Sequence, residues 1–317
     1  MKYEKKCALV VTYNRKDDLI VCISRLLEQT VTLDEILIVD NASTDGTYDF
    51  LIKNHILNSK DKCIDGFTSK KINETNILYF KENVNTGGAG GFSKGQLLAI
   101  ERGNHYIWLM DDDGVAEKDT FELLLEAIGS TSVDIVNPLV VDIDHKDKLS
   151  FGLSPSIKNV EDAERIKNHE GMIYGLCNPF NGTLLTSDII NKIGFIKAEM
   201  FIWGDESEYF KRALSSGYKI GTNVNAKFYH PTSKTIYEDF FFGMFKMEKK
   251  PARLQMNYYR NQAYLCSKYA SGFRKYIPFV KHIMYFALKG QFVNLFRYAR
   301  YFYDGYFNRY KLPPIIG

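Results

Sequence analysis

The chain has 317 residues and a net charge of +3, from 41 Lys and Arg against 38 Asp and Glu. That length suits one large domain or two modest ones. Hydrophobic residues are 45% and charged residues 25%, an ordinary globular composition that excludes disorder, collagen or coiled coil as a description of the whole chain.

The first half alternates short apolar runs with amphipathic ones. Cys7–Thr12 (CALVVT) is β-branched and apolar, the pattern of a buried strand. After Asn14, Leu19, Ile23, Leu26 and Leu27 recur at helical spacing. Ile36–Val39 predicts a second strand, Asn41–Thr47 a turn or cap, and Ile77–Phe80 a third strand. The glycine-rich run Asn83–Phe92 then leads into a helix through Arg102, and Tyr106–Met110 predicts a fourth strand, ended by Asp111, Asp112 and Asp113. Strands separated by helices imply parallel pairing with right-handed crossovers, so ligands gather at the carboxyl ends of the strands. Thr12–Asn14, Asp40–Asn41, Asn83–Gly91 and Asp111–Asp113 all fall at that edge.

The second half is less regular. Val133–Asn137 predicts a strand, residues 142–170 a charged loop region, and Asn178–Leu185 a strand before a helix capped by Ser187. Trp203–Ser215 is helical after its first residues, and Lys227–His230 is a short apolar strand before Pro231. Cys7, Cys22, Cys63, Cys177 and Cys266 are scattered, with no CxxC pair, which argues against a zinc ribbon or disulfide framework and fits a reducing compartment. The apolar run near the start is too short for a signal peptide, and no 18-residue uncharged apolar stretch predicts a spanning helix.

Charge is unevenly distributed. From Phe241 to Gly317 the chain carries 14 Lys and Arg but only Glu248 and Asp304, so this tail is +12 and residues 1–240 are −9. The tail also holds 21 of the 45 aromatic residues. Tyr276–Tyr310 has the composition of an interfacial membrane helix, with cations for anionic head groups and rings for the water–lipid boundary. The other readings are a helical cap or oligomer contact and, against the acidic remainder of the chain, a single-stranded nucleic-acid surface.

The polar clusters carry two readings each. Three consecutive carboxylates suit Mg²⁺ or Mn²⁺ shared with substrate phosphates, or a solvated acidic turn at a helix start. Gly87, Gly88, Gly90 and Gly91 permit close backbone approach to an anion, or form a tight turn; neither a Rossmann fingerprint nor a P-loop is present. Trp203-Gly204-Asp205-Glu206-Ser207-Glu208 offers a general base beside a sugar-stacking indole, or acids in a first helical turn, with Glu208 the plainest candidate for a capping role. His230 is a third metal ligand or a structural histidine.

Taken in order, VVTYNR, VDNASTDGT, NVNTGGAGGF, WLMDDDG, NGTLL, WGDESEY and the Tyr229-His230 pair resemble the family 2 glycosyltransferases of the GT-A fold, and most resemble bacterial galactofuranosyltransferases, with rhamnosyltransferases close behind. The resemblance covers about residues 7–235. It implies an α/β architecture: a GT-A catalytic domain (1–240) with a Rossmann-like mixed sheet, then a basic, aromatic, helical and membrane-associating region (241–317). It implies that Thr12, Asn14 and Asp40 line the nucleotide pocket, and that Asn83, Asn85, Gly87 and Gly88 lie near the donor phosphates and sugar. Asp111 and Asp113 would hold the metal–diphosphate, Asp112 would face ribose or donor sugar, and His230 would complete the metal site. Glu206 would be the general base with Asp205 its rival, and Trp203 would contact the acceptor. The implied activity is inverting transfer of a sugar from a UDP-sugar, with Mn²⁺ or Mg²⁺, to a lipid-linked glycan hydroxyl in bacterial surface polysaccharide synthesis. The implied donor is UDP-galactofuranose, with dTDP-rhamnose the alternative, and the implied location is cytoplasmic, on the inner face of the plasma membrane. No nucleic-acid partner is expected, and a homo-oligomer is compatible. A nucleotidyltransferase would carry its glycine-rich basic loop after the first strand, where TYNRKDD stands instead. A non-catalytic sugar-nucleotide-binding module would have lost the base or the paired aspartates, and both are present.

Overall fold

The computed structural model describes residues 4–58, 66–232 and 236–310. It divides into two compact units: Met1–Ile196 with Arg212–Thr232, and Lys197–Lys211 with Ser233–Gly317.

The first unit is built on a ten-stranded mixed sheet. Its strands are β1 (Lys6–Thr12), β2 (Glu35–Asp40), β3 (Thr68–Ile72), β4 (Thr75–Lys81), β5 (Tyr106–Asp111), β6 (Val115–Ala116), β7 (Ile135–Asp142), β8 (Met172–Tyr174), β9 (Asn181–Thr186) and β10 (Ile220–His230). Interspersed are α1 (Lys16–Leu27), α2 (Thr47–Lys53), α3 (Gly87–Glu101), α4 (Thr120–Ser130), α5 (Val160–Ile166), α6 (Ser187–Ile193) and α7 (Asp205–Ser215), the last of which crosses the boundary between the units. The spatial order is β3-β4-β2-β1-β5-β9-β7-β10-β6, with β8 also on β10.

The strands expected from their apolar runs pair in parallel: β1 with β2 and β5, and β2 with β4. β1 and β2 are covered on both faces, which is why they read as continuous apolar runs rather than alternating ones. The register sets Thr12 beside Asp40, Asp40 beside Lys81, and Val11 beside Asp111, so the ends of four strands share one edge.

Several elements differ from the sequence expectation. β3 (TSKKI) is an antiparallel edge strand without clear alternation, and its half-exposed lysines suit an unpaired edge. Residues 142–170 contain α5, whose first turn is capped by the Asn159 side chain. The strand predicted at Lys227–His230 is the end of the eleven-residue β10, whose register on β7 shifts between Asn223 and Lys227. Ser187 is the first helical residue of α6 rather than its cap; Thr186 holds the cap position and makes no side-chain capping bond. Cys7, Cys22, Cys177 and Cys266 are free, and Cys63 lies outside the described residues.

The second unit contains a hairpin, β11 (Ile236–Phe240) and β12 (Phe245–Lys249), and three helices, α8 (Gln255–Tyr269), α9 (Ile277–Leu288) and α10 (Phe292–Tyr306). Many of the tail's aromatics form its core: Tyr259, Tyr285, Phe286, Tyr298 and Phe302 are buried together. At Gly305 a Cβ would stand 1.9 Å from the Arg260 carbonyl oxygen, so glycine is what lets α10 lie against α8. Other aromatics stay in solvent, Phe242, Phe273, Phe292 and Phe296 among them. Among the described residues no helix is long and apolar enough to cross a membrane.

Candidate active site

The shared strand edge of the first unit is tied together by side chains from four loops. Thr12, at the end of β1, donates its hydroxyl to Asp112 Oδ2 at 2.6 Å. Asn14 adopts a left-handed conformation (φ 54°), and its Oδ1 accepts the Thr44 amide at 2.7 Å, while its own amide donates to Ser43 Oγ at 2.9 Å. Asp40 is buried: Oδ1 accepts the Ser43 amide and Oδ2 accepts the Tyr79 hydroxyl. It therefore shapes the loop after β2 from beneath. Asn41 does the same one residue later, accepting from Thr86 N–H and donating to the Gly87 carbonyl. Asn83 is exposed on the same rim, and Asn85 Oδ1 accepts the Gly87 amide.

The glycines of α3 serve two ends. A Cβ on Gly91 would stand 2.6 Å from Val11 Cγ1, and one on Gly95 would stand 2.3 Å from Leu9 Cδ1. These two allow the helix to lie on β1. Gly88 is different, since a Cβ there meets nothing within 4 Å. Its neighbourhood is open to a ligand.

Asp111, Asp113 and His230 form the cluster at the edge's centre. One ligand atom from each lies within 4.8 Å of the others. His230 Nδ1 is 2.7 Å from the Pro231 carbonyl, so Nδ1 carries the hydrogen. In the neutral ring Nε2 is then a lone pair, and it faces Asp113 Oδ1 at 3.1 Å. Two acceptors at that distance need a proton or a cation between them. Asp113 Oδ1 is buried and receives no hydrogen bond of good geometry. These residues fit a divalent cation: two hard oxygen donors, one imidazole, and a carbonyl that orients the ring.

Electrostatics agree with the geometry. Burial pushes the Asp112 carboxyl up to about 6, against the Thr12 hydrogen bond and the nearby Arg15. Burial also acts to raise Asp113, but His230 and Arg15 outweigh it and hold the carboxyl below its ordinary value. Burial acts to lower His230, and the facing Asp113 outweighs it and raises the imidazole. Arg15 is the unassigned partner: its guanidinium bonds Asp113 and lies 3.3 Å from Asp112. Its place as the last residue of VVTYNR was the available signal, because the strand end faces the acids.

Trp203, Asp205 and Glu206 belong to the second unit. Phe201 (φ 66°), Trp203 (φ 61°) and Gly204 (φ 102°) all lie in the left-handed region within four positions. For bulky residues that conformation costs about 1–3 kcal/mol each. Asn261 on α8 holds it: its Nδ2 donates to the carbonyls of Met200, Ile202 and Trp203 at 2.8, 3.0 and 2.9 Å. The Trp203 ring lies under Lys250 and edge-on to Tyr258. Asp205 is buried; Glu206 is half-buried, with Oε2 accepting the Gly204 amide at 3.2 Å. Glu208 is buried and accepts the Tyr269 hydroxyl, a structural role. Asn261 carried no sequence signal, since it lies 58 residues beyond Trp203.

The sequence matches the family model Glycosyl transferase family 2 over residues 7–185, from β1 to within β9. The chain belongs to glycosyltransferase family 2. Among curated relatives of this glycosyltransferase, galactofuranosyltransferase GlfT1 of Mycobacterium tuberculosis is 30% identical over 277 residues, covering 86% of this chain and 84% of that one. The crystal structure of S. aureus TarS 1-349 superposes with TM-score 0.56 at 13% identity, over 96% of this chain and 82% of that one. GalNAc-T7 with UDP, GalNAc and Mn²⁺ gives TM-score 0.55 at 14% identity, over 84% of this chain and about half (51%) of that one. The glycosyltransferase has the GT-A fold, with a helical, aromatic-cored second unit.

Proposed function

We propose that this glycosyltransferase moves galactofuranose from UDP-galactofuranose to a hydroxyl of a lipid-linked glycan, inverting the anomeric centre. The observation that carries transfer from a nucleotide sugar is the Asp111–Asp113–His230 cluster at the carboxyl edge of the parallel strands. The 30% identity to a galactofuranosyltransferase supports the choice of donor.

In this reading the open neighbourhood of Gly88 and the Asn83–Asn85 segment receives the donor, with Thr12, Asn14 and Asp40 shaping the nucleotide pocket. Asp111, Asp113 and His230 would hold the cation, Mn²⁺ or Mg²⁺. When bound, the cation neutralises the charge that builds on the departing diphosphate. Asp112 stays tied to Thr12 and Arg15, so the ligand carboxylates beside it are held in place. Glu206 takes the proton of the acceptor hydroxyl, with Asp205 the alternative base, and the hydroxyl attacks the anomeric carbon opposite the leaving group. Trp203 offers a ring face to the acceptor sugar. The exposed cations and aromatics of the second unit hold the enzyme at the membrane face where such acceptors lie.

Thermal shift with UDP-galactofuranose, UDP-galactopyranose, UDP-glucose and dTDP-rhamnose, each with and without Mn²⁺, tests the donor. The expected result is a metal-dependent rise largest for UDP-galactofuranose. A larger rise with dTDP-rhamnose would replace the donor. Glu206→Gln is expected to keep the shift and lose turnover, whereas a dead Asp205→Asn beside an active Glu206→Gln would move the base by one residue.

A further inference from the structure

The second unit carries a groove of about 660 Å³ at the start of α8 and along α10. Arg253, Arg297 and Arg300 line it, together with Gln255, Asn294 and Tyr301. All three arginines are exposed, and among the described residues no carboxylate lies within 4 Å of them in an ion pair. The lining contains no acid. The first turn of α8 adds the positive end of a helix that has neither a side-chain cap nor an acidic residue there. Three guanidiniums converging on one concavity repel one another, and an anion relieves that repulsion. Planar forked donors match phosphate oxygens in particular.

The start of α10 shows where the rest of such a ligand would lie. Phe292, Val293 and Phe296 are 61%, 67% and 72% exposed at the start of α10. Val293 precedes Arg297 by four residues, and Phe296 precedes Arg300 by four, so the two α10 arginines each stand one turn beyond an exposed apolar side chain on the same face. A phosphate joined to a hydrocarbon chain matches that order of groups; a free nucleotide leaves the apolar turn in water.

We propose that Arg253, Arg297 and Arg300 form a site for the phosphate or diphosphate head group of a membrane lipid, with Phe292, Val293 and Phe296 entering the apolar boundary below it. The inference rests on the lipid-linked acceptor reading for the nature of its ligand, but not on the donor or the base.

Flotation of the full chain tests it, using vesicles of neutral phosphatidylcholine, the same lipid with phosphatidylglycerol, and the same lipid with a polyprenyl diphosphate. The wild-type chain is expected to float with the two anionic mixtures, whose phosphates carry no neutralising choline, and weakly with the neutral one. Arg253→Ala/Arg297→Ala/Arg300→Ala is expected to lose roughly 10- to 100-fold in vesicle affinity. The charge-matched variant Lys246→Ala/Lys268→Ala/Arg274→Ala is expected to lose much less. The arginine-to-lysine triple keeps the charge without the fork and is expected to fall between. Both alanine triples should keep the thermal transition and the turnover of a soluble acceptor, which separates failure of this site from failure of the transferase reading. Equal losses for the two alanine triples would overturn the site in favour of diffuse attraction. Soluble pyrophosphate binding the groove as tightly as vesicles do would overturn the lipid as its ligand.

Discussion

The two ends of the central sheet treat buried acid in opposite ways. At the amino end of β2, Glu35 is 1% exposed and fully met: Lys5 Nζ lies at 2.6 Å, Arg102 donates through Nε and an η nitrogen, and Asn104 donates at 2.8 Å. Burial acts to raise its carboxyl, but these partners outweigh burial and hold it below its ordinary value. At the carboxyl end, Asp111, Asp112 and Asp113 share Arg15 and His230, and Asp112 is pushed up to about 6. Around Glu35 two cations meet one carboxylate, and the site is closed. The other end has an excess of negative charge and a buried carboxylate oxygen without a well-aligned donor. The difference teaches which end expects a ligand: self-sufficient charge stabilises a fold, and uncompensated charge waits for a cation.

The largest effect is expected at Asp113. Asp113→Asn is expected to cost roughly 10³-fold in turnover, while the melting temperature of the metal-free protein falls modestly, because His230 and Arg15 hold the Asp113 carboxyl below its ordinary value and its charge therefore favours the folded state. Full activity in single-turnover assays would remove the carboxyl edge from the chemistry.

Glu35→Gln is the mirror experiment. Removing this charge strands Arg102 and Lys5 and should cost about 3 kcal/mol in urea unfolding, with turnover per folded molecule unchanged. The pH dependence sharpens it. Because the folded-state value lies below the ordinary 4.5, the unfolded chain takes up the proton first. The stabilisation is therefore complete above about pH 4.5 and fades as pH falls toward the folded-state value. Unfolding midpoints between pH 5 and 3 should slope more steeply for wild type than for Glu35→Gln; parallel slopes would dissolve the contrast.

The α3 glycines divide along the same line between fold and ligand. Gly91→Ala should destabilise the fold by about 1–3 kcal/mol, because Val11 has no room to yield in a closed core. Gly88→Ala meets open space and should stabilise the helix by up to about 1 kcal/mol, yet raise the donor KM if the ligand approaches that backbone. A lower stability for Gly88→Ala would place it with the packing glycines instead.

Much of this was legible in order along the chain. Apolar runs of four to six residues bounded by turn residues read as buried strands, so β1, β2, β4 and β5 and their shared edge followed. The polar residues just after each run then pointed to one rim. β3, β6 and β8 were not legible, because short edge strands need no apolar pattern and are defined by their partners. α5 hid in a charged stretch because a seven-residue helix with one buried residue leaves little periodicity. The aromatic tail could be read as core or as interface from its sequence; Tyr259 and Tyr298 are buried together as core, whereas Phe292 and Phe296 face solvent.

By itself, then, the sequence determined the run of buried strands, the placing of Thr12, Asn14, Asp40 and the three aspartates after them, and the charge contrast between tail and remainder. Those are local facts, fixed by side-chain chemistry and by periods of a few residues. Only the tertiary structure decided that Arg15 answers the aspartates, that Asn261 holds the left-handed turn at Trp203, and that Arg253 meets Arg297 and Arg300 around one groove. Each joins positions tens of residues apart, and no spacing rule spans such a distance; the closing of the chain on its own core brings them together.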